Sequence, residues 1–168
     1  MSGSDGTPSN DVADHGGSLS RAVRLFPDAP RSWLDLSTGI NPHPYPFDDI
    51  DADAFTRLPE DSRLQALLET AARTYGAPSP RNIVAAPGTQ ILLPLTAALV
   101  RRGSAAILSP TYAEHHRAAV LAGHDTVEAV DPDGLRRSDL AIVVNPNNPD
   151  GRIVTRQSLL AIAAELRA

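Results

Sequence analysis

Short apolar runs alternate with stretches of helical periodicity over the last two thirds of the chain. Apolar residues that recur every three or four positions predict four helices, at residues 62–75, 89–102, 112–122 and 155–167. Four compact apolar runs predict strands, at residues 82–86, 105–108, 126–130 and 140–144. Strands that are separated by helices of this length form parallel sheets with right-handed crossovers. The pattern therefore predicts an α/β fold with a mainly parallel sheet and flanking helices.

The first third of the chain has a different amino-acid composition. Residues 1–13 are rich in Ser, Gly and Asp, which predicts a disordered tail. Residues 14–61 include, between residues 35 and 59, four prolines and four closely spaced aspartates. Prolines remove backbone donors and restrict the residues that precede them. This composition predicts an extended N-terminal arm that runs over a surface, and a solvated linker is an equal alternative. The aspartates lack the closing Gly and Glu of a calcium loop, so we interpret them as a solvated acidic loop.

Composition excludes several classes of protein. No apolar run approaches the 18 residues or so of a membrane span, and the N-terminus has no signal-peptide pattern. We therefore expect a cytoplasmic protein with no membrane partner. The chain has no cysteine, and its net charge of −5 argues against a nucleic-acid partner. All 15 basic residues are arginine, so these residues cannot complete a mechanism that needs a catalytic lysine.

Three loops follow strands or precede helices, where ligands collect in parallel sheets. In the first loop, Gly88 and Thr89 begin a helix whose amides could hold an anion, although by themselves they favour an ordinary helix start with Thr89 as its cap. In the second, Tyr112 could stack on a planar ligand or pack against a neighbouring loop. In the third, residues 145–152 hold two Asn-Pro pairs and Asp-Gly, and the amide of Asn148 could donate to a ligand oxygen. A rigid turn is the alternative for this loop.

The three loop motifs, in this order and spacing, resemble those of fold type I pyridoxal-phosphate enzymes, nearest to the histidinol-phosphate aminotransferase-like branch. Two N-terminal motifs, Asp-His-Gly-Gly at 14–17 and Asp-Leu-Ser-Thr-Gly-Ile-Asn-Pro at 35–42, resemble those of the threonine-phosphate decarboxylases of cobalamin biosynthesis. The resemblance runs from about residue 14 to the end and corresponds to the amino-terminal half of such an enzyme. It implies that residues 62–168 are part of the large domain of a fold type I transferase.

The resemblance implies an activity, a cofactor and a set of binding residues. The activity is the decarboxylation of O-phospho-L-threonine to aminopropanol phosphate with pyridoxal 5'-phosphate, by a homodimer. The phosphate of the cofactor would be bound by Gly88, Thr89 and Gln90. Tyr112 would stack on the pyridine ring and Asn148 would bind its 3'-oxygen. The Asn148–Pro149 bond becomes a candidate for a cis peptide.

The resemblance also implies contacts with the phosphorylated amino-acid substrate. His15 and Gly16 would meet the substrate phosphate, and Gly39, Ile40 and Asn41 would border its carboxylate. It assigns no catalytic residue to this chain, because the lysine and the pyridinium carboxylate of the family lie beyond the equivalent of Ala168.

Some residues depart from the family pattern. Leu58 stands where many aminotransferases have a tyrosine that reaches a partner's cofactor phosphate, and Leu58 cannot make that hydrogen bond. Together with the absence of lysine, this leaves two alternatives: a histidinol-phosphate aminotransferase-like enzyme, and a non-catalytic phosphate-binding or interaction module. We expect the other histidines, at positions 43, 115, 116 and 124, to have surface roles and to bind no metal.

Overall fold

A computed structural model describes residues 16–167, which fall into two units divided between Leu58 and Pro59. The predicted tail at residues 1–13 lies outside the described residues, as does His15. None of the helices in the described part of the chain has the length and hydropathy to cross a membrane.

The N-terminal unit contains two short helices, α1 at Leu19–Leu25 and α2 at Asp53–Thr56. Helix α1 departs from the extended arm that the composition predicts, because residues 16–26 contain no proline and the prolines of the arm begin at Pro27. Most of residues 27–50 have no regular secondary structure, as expected for a proline-rich segment.

The two N-terminal motifs contact each other within this unit. The backbone N–H of Gly17 donates to Ser37 Oγ at 2.8 Å, and the backbone N–H of Ser37 donates to Asp35 Oδ1 at 2.9 Å. The hydrogen bonds from Ser37 lower the pKa of the Asp35 carboxyl below its ordinary value of 3.8. Gly16 lies so close to Ser37 that a Cβ at position 16 would overlap its side chain and carbonyl. A side chain larger than hydrogen therefore does not fit at this point.

The C-terminal unit is built on a sheet of three parallel strands in the order β2–β1–β3. These are β1 at Ser104–Leu108, β2 at Asp125–Ala129 and β3 at Leu140–Ile142. Ser104 pairs with Asp125 on one side of β1, and Ala105 pairs with Leu140 on the other. The predicted parallel sheet is confirmed, with strand bounds that differ by one or two residues from those expected.

The same unit has four helices: α3 at Asp61–Tyr75, α4 at Thr89–Ala97, α5 at Glu114–Leu121 and α6 at Arg156–Ala163. Short 3-10 turns lie at Pro80–Asn82 and Pro132–Leu135. Helix α3 ends at Gly76, whose φ of 68° is the left-handed conformation common after a helix. Helices α4 and α5 pack against each other. The predicted flanking helices are confirmed, although α4 and α6 end four to five residues early because their last residues form turns.

The central strand β1 carries the core, because its side chains alternate between two covered faces of the sheet. Its last four residues are all buried. Ala106 and Leu108 belong to a cluster with Leu135 and with Ile162 of α6. Ile107 is 2% exposed on the alternate face.

The predicted strand at residues 82–86 is wrong. Asn82 belongs to a 3-10 turn, and residues 83–86 form no strand, although Ile83 has extended backbone angles. A β-strand requires a neighbour that accepts and donates backbone hydrogen bonds. No strand in the described part of the chain pairs with this segment, so its apolar composition alone does not make it part of the sheet.

The expected surface role of His124 is also wrong, since this residue is only 4% exposed. It precedes β2, and its Nε2 lies 3.0 Å from the carbonyl oxygen of Ala97 at the end of α4. The imidazole joins a helix end to the start of a strand, which explains its burial. His43 and His116 are exposed, as expected.

We predict that Gly16→Ala opens the contact between the two N-terminal motifs. The new methyl group overlaps Ser37, so the hydrogen bond from Gly17 to Ser37 must be lost or lengthened, at a cost of about 1–3 kcal/mol. Trp33, the single tryptophan, lines the same cleft as Gly16 and Ser37, so its fluorescence emission should shift to longer wavelength. Gly39→Ala is the matched control, since a Cβ there meets nothing within 4 Å. Equal emission spectra for the two variants would contradict the prediction.

Candidate functional site

A hydrogen bond between Gln90 and Tyr112 joins the start of α4 to the loop after β1. Gln90 lies in the first turn of α4, and its Nε2 donates to the hydroxyl of Tyr112 at 3.0 Å. Tyr112 follows the carboxyl end of β1 and precedes α5. Its ring is half-buried and stands nearly perpendicular to that of His115, with centroids 6.0 Å apart and an angle of 84° between the planes. Two neighbouring residues therefore constrain the tyrosine ring.

The second connection joins the loop after β1 to the loop after β3, through Asn147. This residue is 5% exposed, and its side chain makes three hydrogen bonds. Its Oδ1 accepts from the Thr111 hydroxyl at 2.8 Å, and its Nδ2 donates to the Pro110 carbonyl at 2.9 Å and to Asp150 Oδ1 at 2.7 Å. The predicted meeting of the three loops at the carboxyl end of the sheet is thus confirmed, because Gln90, Tyr112, Thr111 and Asn147 form a continuous set of contacts.

The loop at residues 145–152 is also held by contacts within itself. Asn145 Nδ2 donates to the Val154 carbonyl at 3.0 Å, and the N–H of Val154 returns a hydrogen bond to Asn145 Oδ1 at 2.9 Å. The N–H of Asn147 donates to the carbonyl of Arg152, and Gly151 donates to the carbonyl of Asn147, both at 2.8 Å. These bonds close the loop at its base and across its middle.

Asp150 is the carboxylate of this loop. Its Oδ1 accepts from the backbone N–H of Arg152 at 2.9 Å as well as from Asn147. The hydrogen bonds from Arg152 and Asn147 hold the pKa of Asp150 below its ordinary value of 3.8. Asp150 is therefore ionised at neutral pH, and its charge strengthens both contacts.

Three of the predicted cofactor residues present open, ligand-accessible surfaces. Gly88 precedes α4 with a φ of 91°, and a Cβ added there would meet nothing within 4 Å. Thr89 is exposed at the first position of α4. Asn148 is exposed, and within residues 16–167 no hydrogen bond is seen from its side chain. The bond between Asn148 and Pro149 is cis, as expected, and so are Ser109–Pro110 and Asn145–Pro146.

The predicted substrate residues belong to the N-terminal unit. Gly16 lies against Ser37, which is two residues before Gly39. Ile40 is 79% exposed, and Asn41 Oδ1 accepts from the backbone N–H of His43 at 2.9 Å. His15 lies outside the described residues.

The sequence analysis predicts a ligand-binding role for Asn148 and assigns no role to Asn147, which connects the loops. Both asparagines stand in the same Asn-Asn pair, and only burial separates the residue that builds the loop from the residue that faces solvent. The expected surface role of His115 is also wrong, because this histidine is half-buried and its ring contacts that of Tyr112. The spacing of Tyr112 and His115, three residues apart at a helix start, was the available signal.

The chain is similar in sequence to known enzymes. No protein-family model matches the chain. It is 40% identical over 160 residues to a threonine-phosphate decarboxylase of Pseudomonas aeruginosa, an alignment that covers 93% of this chain and 46% of that protein. A threonine-phosphate decarboxylase of Sinorhizobium is 39% identical, over 92% of this chain and 46% of that protein. The expected resemblance to the threonine-phosphate decarboxylases is confirmed.

Relatives of lower sequence identity are aminotransferases. A histidinol-phosphate aminotransferase of Desulfitobacterium hafniense is 28% identical, over 84% of this chain and 45% of that protein. Among solved structures, a tetra mutant of Thermus thermophilus aspartate aminotransferase is 27% identical over 58% of this chain and 33% of that protein, with a TM-score of 0.48. The chain spans about half the length of the curated relatives that it matches.

We predict opposite outcomes for the two neighbouring asparagines. Asn147→Ala removes a buried side chain and leaves the Thr111 hydroxyl, the Pro110 carbonyl and Asp150 without this partner. It should lower the free energy of unfolding in urea by about 1–3 kcal/mol. Asn148→Ala removes an exposed amide and should leave stability within about 0.5 kcal/mol of the unmodified chain. Equal effects of the two variants would show that Asn147 does not hold the loops together.

We predict that Asp150 stabilises the fold in a pH-dependent way. Its pKa is lower in the folded chain than in the unfolded chain, so its stabilising contribution is complete above the unfolded value. The contribution is lost as pH falls through the folded value, because protonation weakens the hydrogen bonds from Arg152 and Asn147. The difference in free energy of unfolding between the unmodified chain and Asp150→Asn should therefore be largest at neutral pH and shrink below about pH 4. A difference that stays constant between pH 7 and pH 3 would contradict this assignment.

Proposed function

We propose that this chain supplies the cofactor-phosphate and ring-binding parts of a pyridoxal-phosphate-dependent threonine-phosphate decarboxylase of cobalamin biosynthesis. The carrying observation is the 40% identity with a threonine-phosphate decarboxylase across 93% of the chain. The hydrogen-bonded meeting of three loops at one end of the sheet supports it. This is the position at which parallel α/β sheets bind ligands.

The residues at this position fit the chemical groups of pyridoxal 5'-phosphate. The open Gly88 and the first amides of α4, with the hydroxyl of Thr89, suit a phosphate dianion at a helix N-terminus. The half-buried ring of Tyr112 offers a surface for a planar heterocycle. Asn148 carries an exposed amide that can donate to the 3'-oxygen of such a ring.

These residues bind and orient, and they do not themselves transfer protons. When bound, pyridoxal phosphate withdraws electrons from the α-carbon of an amino acid that is joined to it. Gly88, Thr89 and Gln90 would fix one end of the cofactor through its phosphate, and Asn148 would fix the opposite edge of the ring. The chain has no lysine, so a covalent lysine link to the cofactor is not among the roles of these 168 residues.

The proposed substrate is O-phospho-L-threonine and the product is aminopropanol phosphate. His15 and Gly16 would meet the substrate phosphate, and Gly39, Ile40 and Asn41 would border its carboxylate. The contact between Gly17 and Ser37 supports this assignment, because it joins the two motifs within one unit. We further propose that the enzyme acts in the cytoplasm as a homodimer, without a nucleic-acid or membrane partner.

Two other functions have specific support. The 28% identity with a histidinol-phosphate aminotransferase favours transamination, but this identity is well below that with the decarboxylases. The absence of lysine favours a non-catalytic phosphate-binding module. The decarboxylase is the better proposal because the identities with the two decarboxylases, 40% and 39%, exceed the 28% with the aminotransferase, and because the two N-terminal motifs resemble those of the decarboxylases.

A chimaera tests the proposed function. The part of this chain that aligns with the Pseudomonas aeruginosa enzyme would replace the corresponding segment of that enzyme, which then supplies the remainder of its own length. We expect the chimaera to release carbon dioxide from O-phospho-L-threonine and to leave histidinol phosphate unchanged. Asn148→Ala in the chimaera should lower the rate by about ten- to a hundredfold, because a hydrogen bond to a charged oxygen is lost. His116→Ala, on an exposed part of α5, is the control that retains the rate.

Each other outcome of this experiment has a defined meaning. Transamination of histidinol phosphate would replace the proposal with the aminotransferase. A folded chimaera that acts on neither substrate would favour the non-catalytic module.

A further inference from the structure

Tyr112 is held on two sides by residues from two different helices. Gln90, in the first turn of α4, donates to its hydroxyl at 3.0 Å. His115, in the first turn of α5, places its ring 6.0 Å from the tyrosine centroid at an angle of 84°. This distance and angle are those of a favourable edge-to-face aromatic pair. The hydroxyl contact and the ring contact together restrict rotation of the tyrosine side chain.

His115 also occupies a different environment from the exposed histidine beside it. It is half-buried and lines an apolar cavity of about 270 Å³ together with Leu93 and Thr96 of α4, Ala118 of α5 and residues of β3. Burial lowers the pKa of His115 below its ordinary value of 6.5. The imidazole is therefore neutral at physiological pH, and it contacts Tyr112 as an aromatic ring rather than as a cation.

We propose that His115 and Gln90 are positioning residues that fix the plane of the Tyr112 ring, on which a planar cofactor stacks. The inference rests on the proposed function. It extends that function to His115, which is not among the proposed cofactor-binding residues, and gives Gln90 a role beside its proposed contact with the cofactor phosphate. A ring that is already fixed loses less conformational freedom when a ligand stacks on it, so binding is tighter than to a freely rotating ring.

The test measures how firmly the cofactor ring is oriented as well as how tightly it binds. The probe is pyridoxamine 5'-phosphate, which has no aldehyde to react with the N-terminal amine. Its affinity for the full 168-residue chain is measured by calorimetry, and its orientation by the circular dichroism induced in its absorption band at saturation. Far-ultraviolet circular dichroism and thermal unfolding show whether each variant is folded.

Two substitutions at position 115 distinguish the effect of the aromatic ring from the effect of side-chain volume. His115→Leu keeps the volume and removes the aromatic ring, and His115→Phe keeps an aromatic ring. We expect His115→Leu to weaken binding by about three- to tenfold and to reduce the induced dichroism per bound ligand. His115→Phe should restore both readouts. His116→Leu is the matched control at the exposed neighbour and should behave as the unmodified chain does.

A substitution of Tyr112 tests the contribution of Gln90. Tyr112→Phe keeps the stacking ring and removes the hydroxyl that accepts the hydrogen bond from Gln90. We expect a partial loss of induced dichroism. An unchanged signal would overturn the role of Gln90.

The remaining outcomes distinguish this inference from the proposed function. If the unmodified chain binds the probe and a folded His115→Leu variant gives the same affinity and the same induced dichroism, the role of His115 is overturned and the proposed function stands. If His115→Leu loses its fold, the His115→Phe signal decides, because an aromatic ring there must preserve the induced dichroism. If the unmodified chain does not bind the probe, both the proposed function and this inference fail.

Discussion

The hydrogen bonds of one buried amide determine where the candidate site lies. Asn147 connects the loop after β1 to the loop after β3 by contacts with Thr111 and Pro110, and it connects the second loop to itself through Asp150. The two loops leave neighbouring strands of the sheet, but neighbouring strands alone do not fix the path of the chain beyond them. The Asn147 side chain makes three hydrogen bonds to these two loops, so a substitution at this position removes all three at once.

The residues that build the site and those that face a ligand are adjacent but distinct. Asn147 is buried and fully engaged, whereas Asn148 is exposed. The same division applies to Tyr112, whose ring is offered to the site while Gln90 and His115 hold it from the side. Fixing a side chain through hydrogen bonds and ring contacts with its neighbours is how proteins prepare binding geometry before the ligand arrives.

The sequence was a good guide to local structure and a poorer guide to anything that depends on distant partners. Periodicity located the three strands of the sheet and the four helices of the C-terminal unit, because those patterns follow from which face of an element is covered. The segment at residues 83–86 has the same apolar character as a strand but no neighbour in the described part of the chain, and pairing is not encoded locally. For the same reason, burial of His124 depended on a carbonyl 27 residues away, at the end of α4. Asn147 and Asn148 differ only in which one points inwards, and a proline-rich loop gives no periodicity from which to read that.

Because the loop at residues 145–152 is closed at its base by its own hydrogen bonds, it can be transferred to another protein scaffold. Asn145 and Val154 exchange two hydrogen bonds, and the interior of the loop is bonded to itself through Asn147, Asp150 and Arg152. Most of the hydrogen bonds that determine the shape of the loop therefore lie within ten consecutive residues, 145–154. A protein engineer could place that segment between a parallel strand and the helix that follows it in another scaffold. The neighbouring loop of that scaffold would need to supply one hydroxyl and two carbonyls, as Thr111, Pro110 and Ser109 do here.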